Sequence, residues 1–235
     1  MTDGRPNPRH YKYYDLVMAA FVTVLLCSNI IGPGKVCQIW GFSFGAGNLF
    51  FPISYIFGDI LTEVYGYARA RKVIWAGFGA MIFATFMSQI VLRMPPDPGV
   101  AYNAVIDPAL QVVFGNTWRI AAGSILAFWA GDFVNSYVMA RMKVWTEGRH
   151  LWSRTIGSTM VGQLVDSALF YPIAFYGVWE TQTLVAASAF NWAFKVGIEV
   201  LFTPVTYAVV DRLKRAERED YFDDHTKFTP FSLRD

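Results

Sequence analysis

Charge is what this sequence has least of. Asp, Glu, Lys and Arg together make up 16% of its 235 residues, where a soluble domain carries about a quarter. The few charges are bunched, and between them run windows such as VIWAGFGAMIFATFMSQIVL, residues 73–92, with no charge at all. About 20 mainly apolar residues are enough for a helix to cross the hydrocarbon core of a bilayer, so a soluble globular protein is excluded. Cysteine is nearly absent as well. Cys27 and Cys37 show neither metal-ligand spacing nor a disulfide framework, and read as packing residues. The three histidines, His10, His150 and His225, all fall in polar connecting segments. There is no phosphate-binding GxxxxGK[ST] loop, no GxGxxG dinucleotide fingerprint and no zinc-type His/Cys cluster. No cofactor or metal is expected. Paired intramembrane aspartates suggest a protease, but Asp59 and Asp132 stand in YIFGD and FWAGD, outside the GxGD context of that chemistry. The chain reads as no enzyme. Without a nucleotide-binding domain, any uphill work must draw on an ion gradient or an external ATPase.

What is present is a succession of apolar segments: 14–32, 44–66, 73–92, 118–140, 155–179 and 184–210. The fold class expected is therefore an all-α integral membrane protein of six transmembrane helices. Residues 1–13 form an N-terminal segment, 14–210 the membrane domain and 211–235 a charged tail. The opening MTDGRPNPRHYKYY is polar and the apolar run after it lacks a small-residue cleavage site, which predicts a first span and not a removable signal. In the segment 93–117, Asp107 followed by Pro108 predicts an N-cap and first helical residue, starting a short interfacial helix over PALQVVFG. Orientation follows from the basic residues. With six spans and the N-terminus inside, sixteen of the twenty Lys and Arg fall in cytoplasmic segments and three in outer ones. Both termini are expected in the cytoplasm. The net charge of +2 is too small to say anything of partners, and no nucleic-acid partner is expected.

Against this background a handful of polar residues sit at membrane depth. They are Asn29; Asp59 and Glu63; Asp132 and Asn135; Gln163 and Asp166; and Asn191, Lys195 and Glu199. A charge at the bilayer centre costs several kcal/mol or more unless paired or wetted. The spacings i, i+3 and i, i+4 put each set on one face of its helix. At about 1.5 Å per residue, Asp59, Asp132, Asp166 and Glu199 lie about 10–20 Å from the inner ends of their spans. Four polar stripes at one level imply a central cavity. Simpler readings stand beside this: a Lys195–Glu199 pair within one helix, a Glu63–Arg69 pair near the surface, and Asn29, Asn135 and Gln163 as interhelical glue. Asp59, Asp132 and Asp166 have no cation on their own helices.

The motifs FPISYIFGDILTEVYGYARARKVIW, GDFVNSYVMARMK, LWSRTIGSTMVGQLVDSALFYPIAF and TPVTYAVVDRLKRAEREDYFDDHTKFTPF resemble the queuosine-precursor transporter family, also called the vitamin uptake family. The resemblance extends from Asn29 to Phe231. It implies a bacterial inner-membrane importer of 7-cyano-7-deazaguanine and related bases, working as a secondary transporter. The alternative it leaves is the substrate-capture subunit of an ATP-driven vitamin importer. The partners so implied are a small deazaguanine and the lipid bilayer, with a second copy of the chain left open. A deazaguanine presents adjacent N–H and NH2 donors, which one carboxylate accepts together. The resemblance thus points to Glu63 or Asp59 for that edge and to Lys195, Gln163 or Asn135 for the ring carbonyl. Tyr55 or Trp192 would supply an aromatic face. Asp132, Asp166 and Glu199 are the candidates for proton coupling.

Overall fold

The computed structural model describes residues 11–31, 36–39, 42–45, 47–115, 118–224 and 226–231. Its elements are α1 (Tyr14–Ile31), β1 (Val36–Ile39), β2 (Phe42–Gly45), α2 (Gly47–Tyr65), α3 (Tyr67–Arg93), α4 (Asn103–Phe114), α5 (Trp118–Trp145), α6 (Leu151–Phe175) and α7 (Thr181–Glu217). Among the described residues the regular elements are helices apart from one antiparallel hairpin, in which Val36 pairs with Gly45 and Ile39 with Phe42. The hairpin is absent from the sequence reading, which left 33–43 as a connector. Six of the helices correspond to the six apolar segments. The charges of Arg5, Arg9, Lys35 and Arg234, used in the orientation argument, lie outside the described residues.

One expectation is corrected at α4. The helix starts at Asn103, so Pro108 lies inside it and not at its first position. Asp107 is a helical residue there, and Asn103 Nδ2 instead holds the preceding turn through the Asp97 carbonyl, 3.1 Å away. Proline costs a helix one backbone bond, and a twelve-residue surface helix tolerates that loss near its middle.

The side chains are distributed inside out. Ile82, Phe83, Phe86, Met87, Ile90 and Val91 of α3 are exposed, as are Phe190, Val200, Leu201 and Val205 of α7. Asp59, Glu63, Arg71, Asp132, Lys143, Arg154, Asp166, Lys195 and Glu199 are buried. Water as the only solvent would reverse that arrangement, because large apolar patches stay exposed only where a partner or lipid covers them. α3 and α7 are each long and apolar enough to cross a membrane. This distribution is that of a protein whose outer face meets lipid.

α2 occupies the centre, in contact with α1, α3, α5 and α7. Its Ile56, Ile60, Leu61 and Val64 join Phe21 and Leu25 of α1, Val73 and Ile74 of α3, and Phe128 and Phe133 of α5 in one apolar core. α5 and α6 approach most closely at a glycine pair. A Cβ on Gly162 would stand 2.7 Å from Asn135 Cβ, and one on Gly131 would stand 3.0 Å from Asp166 Cβ. Small residues let membrane helices meet backbone to backbone. Here they bring Asn135 and Asp166 to one level. The buried face of α6 is almost wholly small or polar: Thr155, Ser158, Thr159, Gly162, Gln163, Asp166 and Ser167.

α2 and α3 are separated by a single residue, Gly66, at φ +86°. Its hydrogens face the Tyr221 ring, where a Cβ would come within 2.2 Å. That ring belongs to the C-terminal tail, which docks on the bundle. The Asp223 carboxylate accepts the Tyr67 N–H at 3.0 Å and so satisfies the open start of α3 from afar. Arg71 donates to the Thr229 carbonyl at 2.8 Å and Trp75 Nε1 to the Pro230 carbonyl at 2.7 Å. Phe228 packs on Tyr67 and Tyr137. The charged tail is thereby held on the bundle as a structural strap.

Candidate functional site

α2, α5, α6 and α7 carry the buried polar groups at two levels, one turn apart on α2. Asp59 marks the upper level. Its Oδ1 accepts from Asn135 Nδ2 at 2.7 Å. Lys195 on α7 donates to Asp166 Oδ2 on α6 at 2.6 Å and to the Tyr55 hydroxyl on α2 at 3.4 Å. The Lys195 ammonium also stands 5.6 Å from the Tyr55 ring centroid. Asp132 lies within electrostatic reach of both Asp166 and Lys195, and Asp59 within reach of Glu199 and Asp132. The intrahelical Lys195–Glu199 reading thus gives way to a pair across helices, Lys195 with Asp166.

Many of these groups are buried with bonding capacity to spare. Among the described residues no hydrogen-bond partner reaches Asp59 Oδ2, Asn135 Oδ1, either amide atom of Gln163, or either carboxylate oxygen of Glu199. Asp59 is 0%, Asn135 2%, Gln163 1% and Glu199 1% exposed, which leaves bulk solvent no direct route to them. An unsatisfied buried polar atom costs about 1–3 kcal/mol, more if charged. Four helices sharing that cost at one level is the geometry of a site for a polar ligand, a proton or trapped water.

Glu63 marks the lower level, where its Oε1 is engaged by cations while Oε2 has no hydrogen-bond partner among the described residues. Its Oε1 accepts from Lys214 Nζ at 2.7 Å and Arg154 Nη2 at 2.8 Å, with Lys143 Nζ at 3.3 Å. Lys143 also donates to the Glu63 carbonyl at 2.6 Å and, with Lys214, grips Asp220 of the tail at 2.5 and 2.7 Å. The surface pair with Arg69 is not formed; Arg69 donates to the Tyr65 carbonyl and lies over the Tyr11 ring. Burial pushes the Lys143 ammonium below its ordinary value despite Glu63 and Asp220. Burial alone would raise the Asp220 carboxyl, but the two lysines outweigh it and hold that group below the usual range. One carboxylate on α2 is thereby tied to α5, α6 and α7. Sequence reasoning saw Lys143, Arg154 and Lys214 only as orientation charges. The available signal was that each lies near the end of a helix that abuts the C-terminal end of α2.

The remaining candidates sit apart. Trp192 Nε1 donates to the Met160 carbonyl at 2.9 Å, and its ring lines an apolar cavity of about 360 Å³ between α6 and α7, whose lining includes none of the acidic residues. Asn29 donates to the Leu25 carbonyl of its own helix. Among the described residues no cluster of His, Cys, Asp and Glu could hold a metal ion.

The family described as "Putative vitamin uptake transporter" matches residues 45–209. This chain belongs to that family. It is 31% identical to a "Probable queuosine precursor transporter" of Bacillus subtilis over 203 residues, 86% of each chain. It is also 24% identical to the "Queuosine precursor transporter" of Escherichia coli, covering 86% of this chain and 88% of that one. A third relative, from Haemophilus influenzae, is 25% identical over 175 residues, 70% of this chain and 67% of its own. No solved structure matches. The family region contains every residue of the upper level, from Tyr55 to Glu199, together with Glu63, Lys143 and Arg154. Lys214, Asp220 and the tail strap lie beyond it.

Proposed function

We propose that this chain imports a queuosine precursor, 7-cyano-7-deazaguanine or a related 7-deazaguanine, across a bacterial inner membrane as a secondary transporter. Six spans cross the bilayer and both termini face the cytoplasm. Family membership and the names of the relatives support the substrate class. The observation that carries the site is the set of unpartnered buried atoms on Asp59, Asn135, Gln163 and Glu199. Asp59 Oδ2 is a free acceptor for the paired N–H donors of the base. Gln163 offers the donor its carbonyl needs, and Tyr55 the adjacent ring. Glu63, engaged by three cations, is reassigned from recognition to holding the inner helix ends together. Asp132 and Asp166, with Glu199, remain the groups for moving a proton, Asp166 in exchange with Lys195.

The test is uptake of labelled 7-deazaguanines by cells that lack their own synthesis and express this chain alone, with and without an uncoupler. Uncoupler-sensitive accumulation is expected. Uptake that requires an added ATPase and coupling protein would favour the capture-subunit reading. At the level of the site, Asp59→Asn turns one acceptor into a donor facing a donor, and affinity should fall on the order of a hundredfold.

A further inference from the structure

Three acidic residues at three-residue spacing, Glu217, Asp220 and Asp223, stand where α7 ends and the strap begins. Each reaches a different part of the bundle. Glu217 accepts the N–H groups of Lys12 and Tyr13, which lead into α1, at 2.9 and 2.7 Å, and the Tyr65 hydroxyl at the end of α2 at 3.0 Å. Asp220 holds Lys143 of α5 and Lys214 of α7. Asp223 accepts the first N–H of α3. The Tyr221 ring covers Gly66 at the α2–α3 turn, and the Arg69 guanidinium stands 5.7 Å from its centroid. α6 joins the same assembly through Arg154 and Glu63. One short stretch of chain thus gathers one end each of α1, α2, α3, α5, α6 and α7.

These contacts differ in kind from those that hold the bundle. α1, α2, α3 and α5 meet through an apolar core, whereas the strap is held largely by ion pairs and hydrogen bonds that water can replace. Asp220 is 48% exposed, and an ion pair so exposed contributes little. The chain changes direction at Arg218, which ends α7 in the left-handed region at φ +52°. A one-residue pivot between a long helix and a segment docked by exchangeable contacts is the construction of a lid. The upper level needs one. Asp59, Asn135, Gln163 and Glu199 are at most 2% exposed, and a transporter must open such a site to each side in turn. Between the two levels the buried faces of α2, α6 and α7 carry hydroxyls at Thr62, Ser158, Thr159, Thr203 and Thr206. Thr159 Oγ1 has no hydrogen-bond partner among the described residues.

We propose that the strap is the cytoplasmic gate. Docked, it holds the helix ends together and closes the way from the upper level along these hydroxyls. Undocked at Arg218, it lets the ends part and the substrate leave. This assignment rests on the importer reading and adds to it the place of the inner barrier and the segment that moves.

The test uses the full chain with Cys27→Ser and Cys37→Ser. Tyr137→Cys and Phe228→Cys are added at two rings whose centroids lie 5.3 Å apart, and a short bifunctional methanethiosulfonate joins them in proteoliposomes. Cross-linking should cut uptake of labelled 7-cyano-7-deazaguanine about tenfold while external binding changes less than about threefold, and dithiothreitol should restore uptake. One folded protein is thus compared with itself. A second readout needs no substrate. In inside-out vesicles a membrane-impermeant maleimide should label Thr159→Cys about fivefold faster once Asp220→Asn and Asp223→Asn release the strap. Uptake that survives complete cross-linking overturns the proposal, because a merely structural strap tolerates being fixed in place. Labelling of Thr159→Cys that the two asparagine variants leave unchanged overturns it as well. A reduced chain that takes up none of the compound overturns the importer reading, and the labelling then decides the gate on its own.

Discussion

Removing the charge of Glu63 isolates the lower level. Glu63→Gln keeps the size of the side chain and one acceptor oxygen, but leaves Arg154 at 1% and Lys143 at 2% exposure without their main counter-charge. Lys214, at 21% exposure, and Lys143 would retain Asp220, itself 48% exposed. Breaking a buried ion pair from one side costs about 3–5 kcal/mol. For a chain of this length that corresponds to a fall in melting temperature of about 6–20 °C. The geometry also fixes an order among variants. Arg154→Met removes one of three cations, so Glu63 stays neutralised by the other two, and the loss is limited to the bonds Arg154 makes to Glu63, Thr146 and the Arg149 carbonyl. Its cost should be smaller, about 1–3 kcal/mol.

Melting of both variants in detergent, alongside their substrate affinity, decides the matter. The expected pattern is a large stability loss for Glu63→Gln, a smaller one for Arg154→Met, and affinity changed less than about threefold in the folded fraction of either. A Glu63→Gln protein that melts like the parent but binds substrate a hundredfold more weakly would refute this reasoning. It would return Glu63 to the recognition edge.

Reporters fused after Lys72, Arg154 and Asp235 should all register cytoplasm, and a periplasmic signal from any of them refutes the six-span topology. Gly66→Ala combines a backbone region costing about 1–3 kcal/mol for a side chain with a Cβ 2.2 Å from the Tyr221 ring; it should release the tail, read as new protease cleavage between 218 and 231. Asp220, whose folded pKa is lowered, stabilises tail docking above its unfolded value of about 3.9 and loses that contribution as pH falls through the folded value. Spin-label distances between tail and α3 should therefore lengthen on acidification, and Asp220→Asn should remove that part of the response.

The sequence made the helices legible because long apolar runs stand out against the charged segments between them. It also placed Asp59, Asp132, Asn135, Gln163, Asp166, Lys195 and Glu199 on inward faces by spacing alone, and all are buried. Pairing was not legible. Spacing ranks partners within a helix, so the pairings it could offer as alternatives were Lys195 with Glu199 and Glu63 with Arg69. The observed pairs, Lys195–Asp166 and Glu63–Arg154, are set by which helices abut. That in turn depends on where glycine allows contact, as at Gly131 and Gly162. The strap was hidden for a different reason. Three of its anchors are backbone carbonyls, at Lys227, Thr229 and Pro230, which leave no mark on side-chain composition.

Two carboxylates four residues apart on α2 are thus resolved by their surroundings and not by their own chemistry. Four residues of helix separate them by about 6 Å along the axis. Over that distance the facing groups change from the amide of Asn135 and the carboxylate of Glu199 to three basic side chains. Asp59 Oδ2 and Glu63 Oε2 both lack a hydrogen-bond partner among the described residues, but the charge of Glu63 is met by three cations at Oε1. Because both ride on the same rigid turn, and Lys195, Glu199 and Lys214 ride together on α7, a shift of α2 against α7 strains both levels at once.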